Sequence, residues 1–289
     1  VDDRQARESE LIQMDIESLK HLSMDGKTAV ITGSTQGLGE TIAQLFADRG
    51  VTQMVITGRN AERGARVKAA LEAKNVKTVF VQADLVKLAD VRKIVAACDT
   101  SFGRIDALVN AAALTDRGTI WDTSEARYDE LFDANVKAPF FLMQDALQLM
   151  KKSKTSGTIV NILSMSGHGG QDFLTAYSTT KGALATMTKN VAYAVMRYRI
   201  RVNGLNIGWM DTPGEDRIMK TYHDADPDWL TKAEAARPVG RLLKPAEVAR
   251  ATAFLSSEES GLMTGSIIDF DQQVLGAGNA IAEPPDAVW

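Results

Sequence analysis

Tyr177-Ser178-Thr179-Thr180-Lys181 sets a phenol and an ammonium four residues apart. On a helix that spacing puts both side chains on one face. A phenol with an ordinary pKa of about 10 is a poor base at neutral pH. A neighbouring ammonium favours the phenolate, so the pair is expected to exchange a proton with an alcohol or carbonyl oxygen. Taken alone, the same spacing also describes a surface pair. Ser164 adds weight, because it follows the apolar run Thr158–Leu163 and lies 13 residues before Tyr177. A serine there can hydrogen-bond the same oxygen from the other side.

A second chemistry-bearing segment is Val30-Ile31-Thr32-Gly33-Ser34-Thr35-Gln36-Gly37-Leu38-Gly39. It leaves an apolar run and enters a helical one, the context in which such glycines bind a pyrophosphate. Gly33 allows a sharp turn, Gly37 lets backbone approach a phosphate, and Gly39 allows close helix–strand packing. The helix start then offers free N–H groups and a positive dipole end to an anion. Glycine spacing alone also fits a structural turn. Arg59 lies 20 residues beyond Gly39, in Thr57-Gly58-Arg59-Asn60. An acidic residue there binds the ribose hydroxyls of NAD, whereas an arginine suits the 2′-phosphate of NADP. The other reading of Arg59 is a solvated loop residue.

These groups must be positioned by an alternating framework. From Lys27 onward, nearly continuous apolar runs predict strands at Thr28–Thr32, Met54–Thr57, Thr78–Gln82, Ala107–Asn110, Thr158–Leu163, Arg201–Leu205 and Ile267–Phe270. Such runs suit strands buried on both faces. Between them, Ile42, Leu45 and Phe46 share one helical face, as do Val91, Ile94 and Val95, and Val248, Thr252 and Leu255. The expected fold is a single doubly wound α/β Rossmann domain, a parallel sheet of about seven strands with helices on both faces. Residues 27–273 form that domain, 1–26 an N-terminal extension and 274–289 a C-terminal tail. Leu11, Ile12, Ile16 and Leu19 stand at helical spacing in the extension. They fit a leader helix or a subunit-contact arm.

Together, Thr32-Gly33-x-x-x-Gly37-x-Gly39, the Ser164 spacing and Tyr177-x-x-x-Lys181 resemble the short-chain dehydrogenase/reductases, from about Lys27 to Gln273. The resemblance implies an NAD(P)-dependent oxidoreductase that interconverts a secondary alcohol and a ketone. It implies a catalytic tetrad of Asn135, Ser164, Tyr177 and Lys181, with Asn135 in Asn135-Val136-x-x-Pro139-Phe140 holding a water beside the lysine. Cofactor contacts are implied at Gly33, Ser34, Gln36, Gly37, Leu38, Gly39, Arg59, Asn60, Asp84, Leu85, Asn110, Ala111, Ala112, Tyr177, Lys181, Ile207, Gly208 and Thr212. Asp84 stands where the adenine amino group is contacted, and Thr212 where the nicotinamide carboxamide is. Ala111 and Ala113 replace an asparagine and a glycine of the family pattern, Ile207-Gly208 a Pro-Gly, and Asp271-Gln272-Gln273 an Asp-Gly-Gly. None of these departures removes a proton-transfer group. Family members commonly form tetramers through the two helices expected near Glu125–Met150 and Ala176–Met196, so a homotetramer is expected.

Substrate choice is expected in Met165–Thr175 and Pro213–Val239, with Ser164, Met165, His168, Phe173 and Trp209 lining the pocket. His168 can bind a substrate hydroxyl or be merely exposed; Trp209 can wall the pocket or pack in the core. His223 and His21 read as surface residues. A polar lid suits a small polyol or sugar. NADP is favoured over NAD, and an NAD-dependent polyol or sugar dehydrogenase working oxidatively is the alternative. A dinucleotide-sensing regulator is the non-enzyme reading, and the intact tetrad argues against it.

Composition excludes other classes. The 289 residues are 45% hydrophobic and 24% charged, ordinary for a globular chain. With 33 Lys and Arg against 37 Asp and Glu, the net charge of −4 offers no basic excess for nucleic acid. Three histidines and one cysteine give no ligand cluster at zinc spacing, so no metal is expected. No run reaches the roughly 18 apolar residues of a membrane span. The single Cys98 and the acidic start Val1-Asp2-Asp3 suit a cytoplasmic protein.

Overall fold

The structure is a computed structural model that describes residues 24–275. The leader positions Leu11 to Leu19, His21 and residues 276–289 lie outside the described residues. Seven strands form one parallel sheet: β1 (Thr28–Ile31), β2 (Gln53–Gly58), β3 (Lys77–Gln82), β4 (Ala107–Asn110), β5 (Thr158–Ile162), β6 (Arg201–Ile207) and β7 (Ile267–Phe270). Their spatial order is β3-β2-β1-β4-β5-β6-β7. Nine helices connect them among the described residues: α1 (Gly37–Asp48), α2 (Ala61–Glu72), α3 (Leu88–Phe102), α4 (Glu125–Phe132), α5 (Ala138–Ser153), α6 (Thr175–Val195), α7 (Pro213–Tyr222), α8 (Trp229–Ala235) and α9 (Pro245–Ser256).

Alternation along the strands divides the core in two. Ala29, Ile31, Met54, Ile56, Val109 and Val160 point to one face, where Ile42 and Phe46 of α1, Val67 and Leu71 of α2, and Val248 and Leu255 of α9 cover them. Val30, Val55, Leu108 and Ile159 point to the other, against Ile94 and Val95 of α3, Leu142 and Leu149 of α5, and Leu184 of α6. This is the expected doubly wound fold, and burial of both faces is why the strands read as continuous apolar runs. The packing reaches back to Met24, which is fully buried and donates its N–H to the Arg49 carbonyl at 2.7 Å.

Strand edges shift by one or two residues. β1 and β5 stop one residue short of the expected Thr32 and Leu163. β6 runs on to Ile207, where it pairs with Phe270 of β7. Asn206 ended the apolar run in sequence, but the strand continues through it, paired with Asp269, and its amide also donates to the Asp269 carboxylate at 2.7 Å. Strand order reverses between β1 and β4, since β2 flanks β1 on one side and β5 flanks β4 on the other. In a parallel sheet the crevice beyond the strand ends at such a point is where ligands bind.

Candidate active site

The glycine turn builds the floor of that crevice. Gly33 has φ +66°, and an added Cβ would lie 2.9 Å from the Ala112 Cα. The two loops therefore pass too closely for any side chain at Gly33. A Cβ on Gly39 would collide with the Gly33 carbonyl, 2.7 Å from its carbon. Gly37 has φ +55° and nothing within 4 Å of a notional Cβ, so its backbone faces open space. Gln36 ends the turn without a side-chain cap on α1, leaving the helix N–H groups available. Thr32 ties the turn to the neighbouring loop, its Oγ1 accepting from Ala111 N at 3.0 Å and Ala112 N at 3.1 Å.

One cavity of about 1340 Å³ runs from this turn to the proton-transfer residues. At one end it meets Gly33, Gln36, Gly37, Leu38, Gly39, Arg59, Asp84 and Leu85. Its middle is walled by Ala111, Ala112, Ser164, Tyr177, Lys181, Ile207, Gly208 and Thr212. Met165, His168, Phe173 and Trp209 line the far end. It exceeds the roughly 300–1,000 Å³ of a pocket for one small ligand. The backbone cradle, the arginine beyond it and this size fit a dinucleotide with a second molecule beside it.

Four expected residues do not line the cavity. Ser34 is fully buried, its hydroxyl donating to the Ile31 carbonyl at 2.7 Å and accepting from Thr57 N at 3.0 Å. Asn60 caps α2, its side chain accepting from Arg63 N at 2.7 Å. Asn110 turns into the core and donates to Asn161 Oδ1 at 2.8 Å. These three brace the site rather than face it. Asn135, the fourth, sits in a widened helical turn at Asp133–Lys137, between α4 and α5. Its Oδ1 accepts from Leu114 N at 2.9 Å, and its Nδ2 donates to Leu114 O at 2.9 Å and Thr180 Oγ1 at 3.2 Å. Thr180 in turn donates to the Tyr177 carbonyl at 2.6 Å, so Asn135 links the loop after β4 to the first turns of α6. Asn135→Ala would orphan both Leu114 groups and is expected to cost about 2–4 kcal/mol. Calorimetry should then show Tm lower by roughly 4–10 °C.

Tyr177 and Lys181 do lie on one face of α6, with the ammonium 5.7 Å from the phenol ring centre. The electrostatics differ from the sequence expectation. Burial pushes the Tyr177 phenol up to about 12; the Ser164 hydroxyl and the Arg117 guanidinium pull it back, while Glu215 adds to the rise. Lys181 is not what lowers it: burial depresses the lysine itself to about 8, and its Nζ donates to the Ile162 carbonyl at 2.8 Å. Desolvation dominates both groups because they are buried in the cavity wall, 8% and 3% exposed.

The far end holds residues that the motifs did not reveal. Arg117, 14% exposed, reaches Glu215 Oε1 at 3.1 Å and His223 Nε2 at 3.2 Å. Glu215 also accepts from Trp209 Nε1 at 2.8 Å, which places Trp209 in the pocket wall. His223, though exposed, lies edge-on to Phe173 with ring centres 5.5 Å apart, so it is part of the pocket rim. His168 Nε2 lies 3.0 Å from Asp269 Oδ1 and 3.1 Å from Asn206 Nδ2, so according to its tautomer it donates to the carboxylate or accepts from the amide. At the other end Arg63 joins Arg59 on the cavity wall. Its signal was its place four residues after Arg59, on the first turn of α2.

Among the described residues, no His/Cys/Asp/Glu group could hold a metal ion, and no helix is long and apolar enough to cross a membrane.

The profile of a family described as enoyl-(acyl carrier protein) reductase matches residues 33–272. An uncharacterized oxidoreductase of Thermotoga maritima is 35% identical, over 86% of this chain and 98% of its own length. Galactitol 2-dehydrogenase of Agrobacterium fabrum is 32% identical, over 86% of this chain and 98% of its own. The crystal structure of L-sorbose reductase from Gluconobacter frateurii, complexed with NADPH and L-sorbose, superposes with a TM-score of 0.83 at 28% identity, covering 89% and 99% of the two chains. With the glycine turn, the Tyr177–Lys181 pair and the seven-stranded sheet in place, the chain belongs to the short-chain dehydrogenase/reductase family and is an NAD(P)-dependent enzyme.

Proposed function

We propose that this enzyme prefers NADP(H) and interconverts a secondary hydroxyl and a ketone on a small sugar or polyol. The observation that carries the reading is the shared cavity. It joins the glycine turn and two arginines at one end to Ser164, Tyr177 and Lys181 in the middle and a polar lid at the other. When bound, the nicotinamide supplies or accepts the hydride. Tyr177 exchanges the proton of the reacting oxygen at its own hydroxyl. Ser164 donates to that oxygen as negative charge develops on it. Lys181 would hold the ribose hydroxyls of the nicotinamide half, and Asn135 positions α6 through Thr180. Asp84 and Thr212, both in the cavity wall, would meet the adenine amino group and the carboxamide of the bound cofactor.

The sugar or polyol class draws support from two relatives, one named for galactitol and one solved with L-sorbose. The far end of the cavity agrees, since its walls mix Phe173 and Trp209 with Arg117, His168 and Glu215. Tyr128, Phe140 and Tyr193 stay exposed on α4, α5 and α6, and the proposal includes a homotetramer formed through these helices.

A panel of ketoses and polyols, assayed with each of NADP(H) and NAD(H), tests the reading. Turnover with NADP(H) preferred is the expected result. A preference for NAD with polyols would favour the oxidative dehydrogenase. Tight cofactor binding with no turnover would favour a dinucleotide sensor.

A further inference from the structure

The lid supplies a cation that the proton-transfer chemistry does not use. Arg237, in the segment after α8, lines the cavity with its guanidinium 4.8 Å from the centre of the Trp209 ring. Stacking on an aromatic face fixes the plane of the guanidinium. Its Nε is buried and has no hydrogen-bond partner. Among the described residues Arg237 has no ion-pair partner either, although acids are plentiful nearby. Those acids are already engaged. Glu215 takes Arg117 and the Trp209 N–H. Asp216 takes Lys220 at 2.7 Å and the Trp229 N–H at 2.9 Å. Glu234 and Asp211 share Lys244, at 2.9 and 3.0 Å.

Arg117 makes a useful contrast. It lines the same cavity, but its Nη1 donates to the Thr115 carbonyl at 2.9 Å, and its other nitrogens go to His223 and Glu215. One arginine is thus neutralised in place, while the other keeps an open fork. The buried Nε is closed to a ligand as well, so the donors Arg237 offers the cavity are its two terminal nitrogens, which make no hydrogen bond among the described residues. Asp172 and Asp271 line the cavity too, and neither is within ion-pair distance of Arg237. Trp209 lies between the two arginines, with Glu215 on its N–H and Arg237 on its face, and stacks on Trp229 at 6.0 Å.

Resting on the function proposed above, we infer that Arg237 binds a carboxylate of the substrate, so the hydroxyl or ketone presented to Tyr177 belongs to a polyhydroxy acid. A planar fork matches the two oxygens of a carboxylate. The tryptophan face provides a wall for the carbon chain that separates the acid from the reacting carbon. A phosphate ester would present the same sign of charge but asks for more donors than one open fork supplies.

The test compares kcat/KM of the full-length enzyme, with saturating cofactor, for an aldonate, the alditol of the same carbon skeleton and the alditol phosphate, across stereoisomers. The aldonate is expected to be preferred roughly 10- to 100-fold, the range of a charge-assisted hydrogen bond. Arg237→Gln should collapse that ratio, and Arg237→Lys should restore part of it; melting curves check that both variants fold. An alditol used as well as the aldonate, or a ratio unmoved in Arg237→Gln, overturns the inference and leaves the proposed function standing. Preference for the phosphate ester overturns the carboxylate assignment. No turnover of any of the three, with cofactor bound, overturns both.

Discussion

Tyr177→Phe should lower turnover by about 10²- to 10⁴-fold, the usual worth of a positioned general acid or base. NADPH binding should survive, because the variant removes one oxygen and keeps the ring that Lys181 faces at 5.7 Å. The pH dependence should differ between the two directions. Burial holds the phenol at about 12, so at neutral pH it carries its proton. Reduction of a ketone needs that proton and should be nearly independent of pH on account of Tyr177 through the neutral range. Oxidation of an alcohol needs the phenolate, a minority form whose share rises about tenfold per pH unit below the pKa. Oxidative kcat/KM should therefore climb with pH well into the alkaline range, and lose that climb in Tyr177→Phe. Steady-state assays in both directions check this. A variant that kept wild-type turnover would place the acid on another residue.

The asymmetry arises from competition between burial and charge. The Ser164 hydroxyl and Arg117 pull the phenol down while Glu215, joined to Arg117 at 3.1 Å, pushes it up, and none of the three outweighs burial. Desolvation is left as the dominant influence. Spacing alone could place Tyr177 beside Lys181, but it carries no information about depth. That is why the sequence pointed to an ammonium-lowered phenol and the folded chain holds a burial-raised one.

The same division separates what could be read in advance from what could not. Strands covered on both faces leave a contiguous apolar trace, and β4 has the expected bounds, Ala107–Asn110; the half-buried edge strand β7 keeps its expected bounds, Ile267–Phe270, as well. The turn Gly33 to Gly39 was legible because each glycine answers a local steric demand. Asn110 and Asn60 were harder, since a short amide beside a cofactor loop can turn outward or brace the core. Asn161 and the α2 N-terminus claimed them. At the far end of the cavity the residues Met165, His168, Phe173 and Trp209 were named from sequence, but the pairings there were not legible. Arg117 and Glu215 stand 98 residues apart, and Arg237 meets Trp209 only through the lid's path. No local period or motif links them; only the fold does.

Removing both Arg59 and Arg63 should weaken NADPH binding roughly 10- to 100-fold, the range of a charge-assisted hydrogen bond to phosphate. NADH lacks the 2′-phosphate, so its affinity should stay near that of the unaltered enzyme. Three arginines lie in this stretch, and their partners decide which can act. Arg66 is held by both oxygens of Glu40, at 2.8 and 2.7 Å, and so is neutralised within the fold. Arg59 and Arg63 have no ion-pair partner among the described residues, and both line the cavity beside Asp84. They lie four residues apart, with Asn60 between them capping α2 and so fixing the start of that helix. Because both are exposed, their attraction should weaken with salt, and the NADPH preference should shrink as ionic strength rises. Titration of nicotinamide fluorescence in the wild type, each single variant and the double variant measures this. A larger effect for Arg59→Ala than for Arg63→Ala would place the phosphate at the end of β2. Equal effects would place it between the strand end and the helix. If NADPH affinity were unmoved in the double variant, the two arginines would be ordinary solvated residues, and oxidation with NAD would become the better reading of the site.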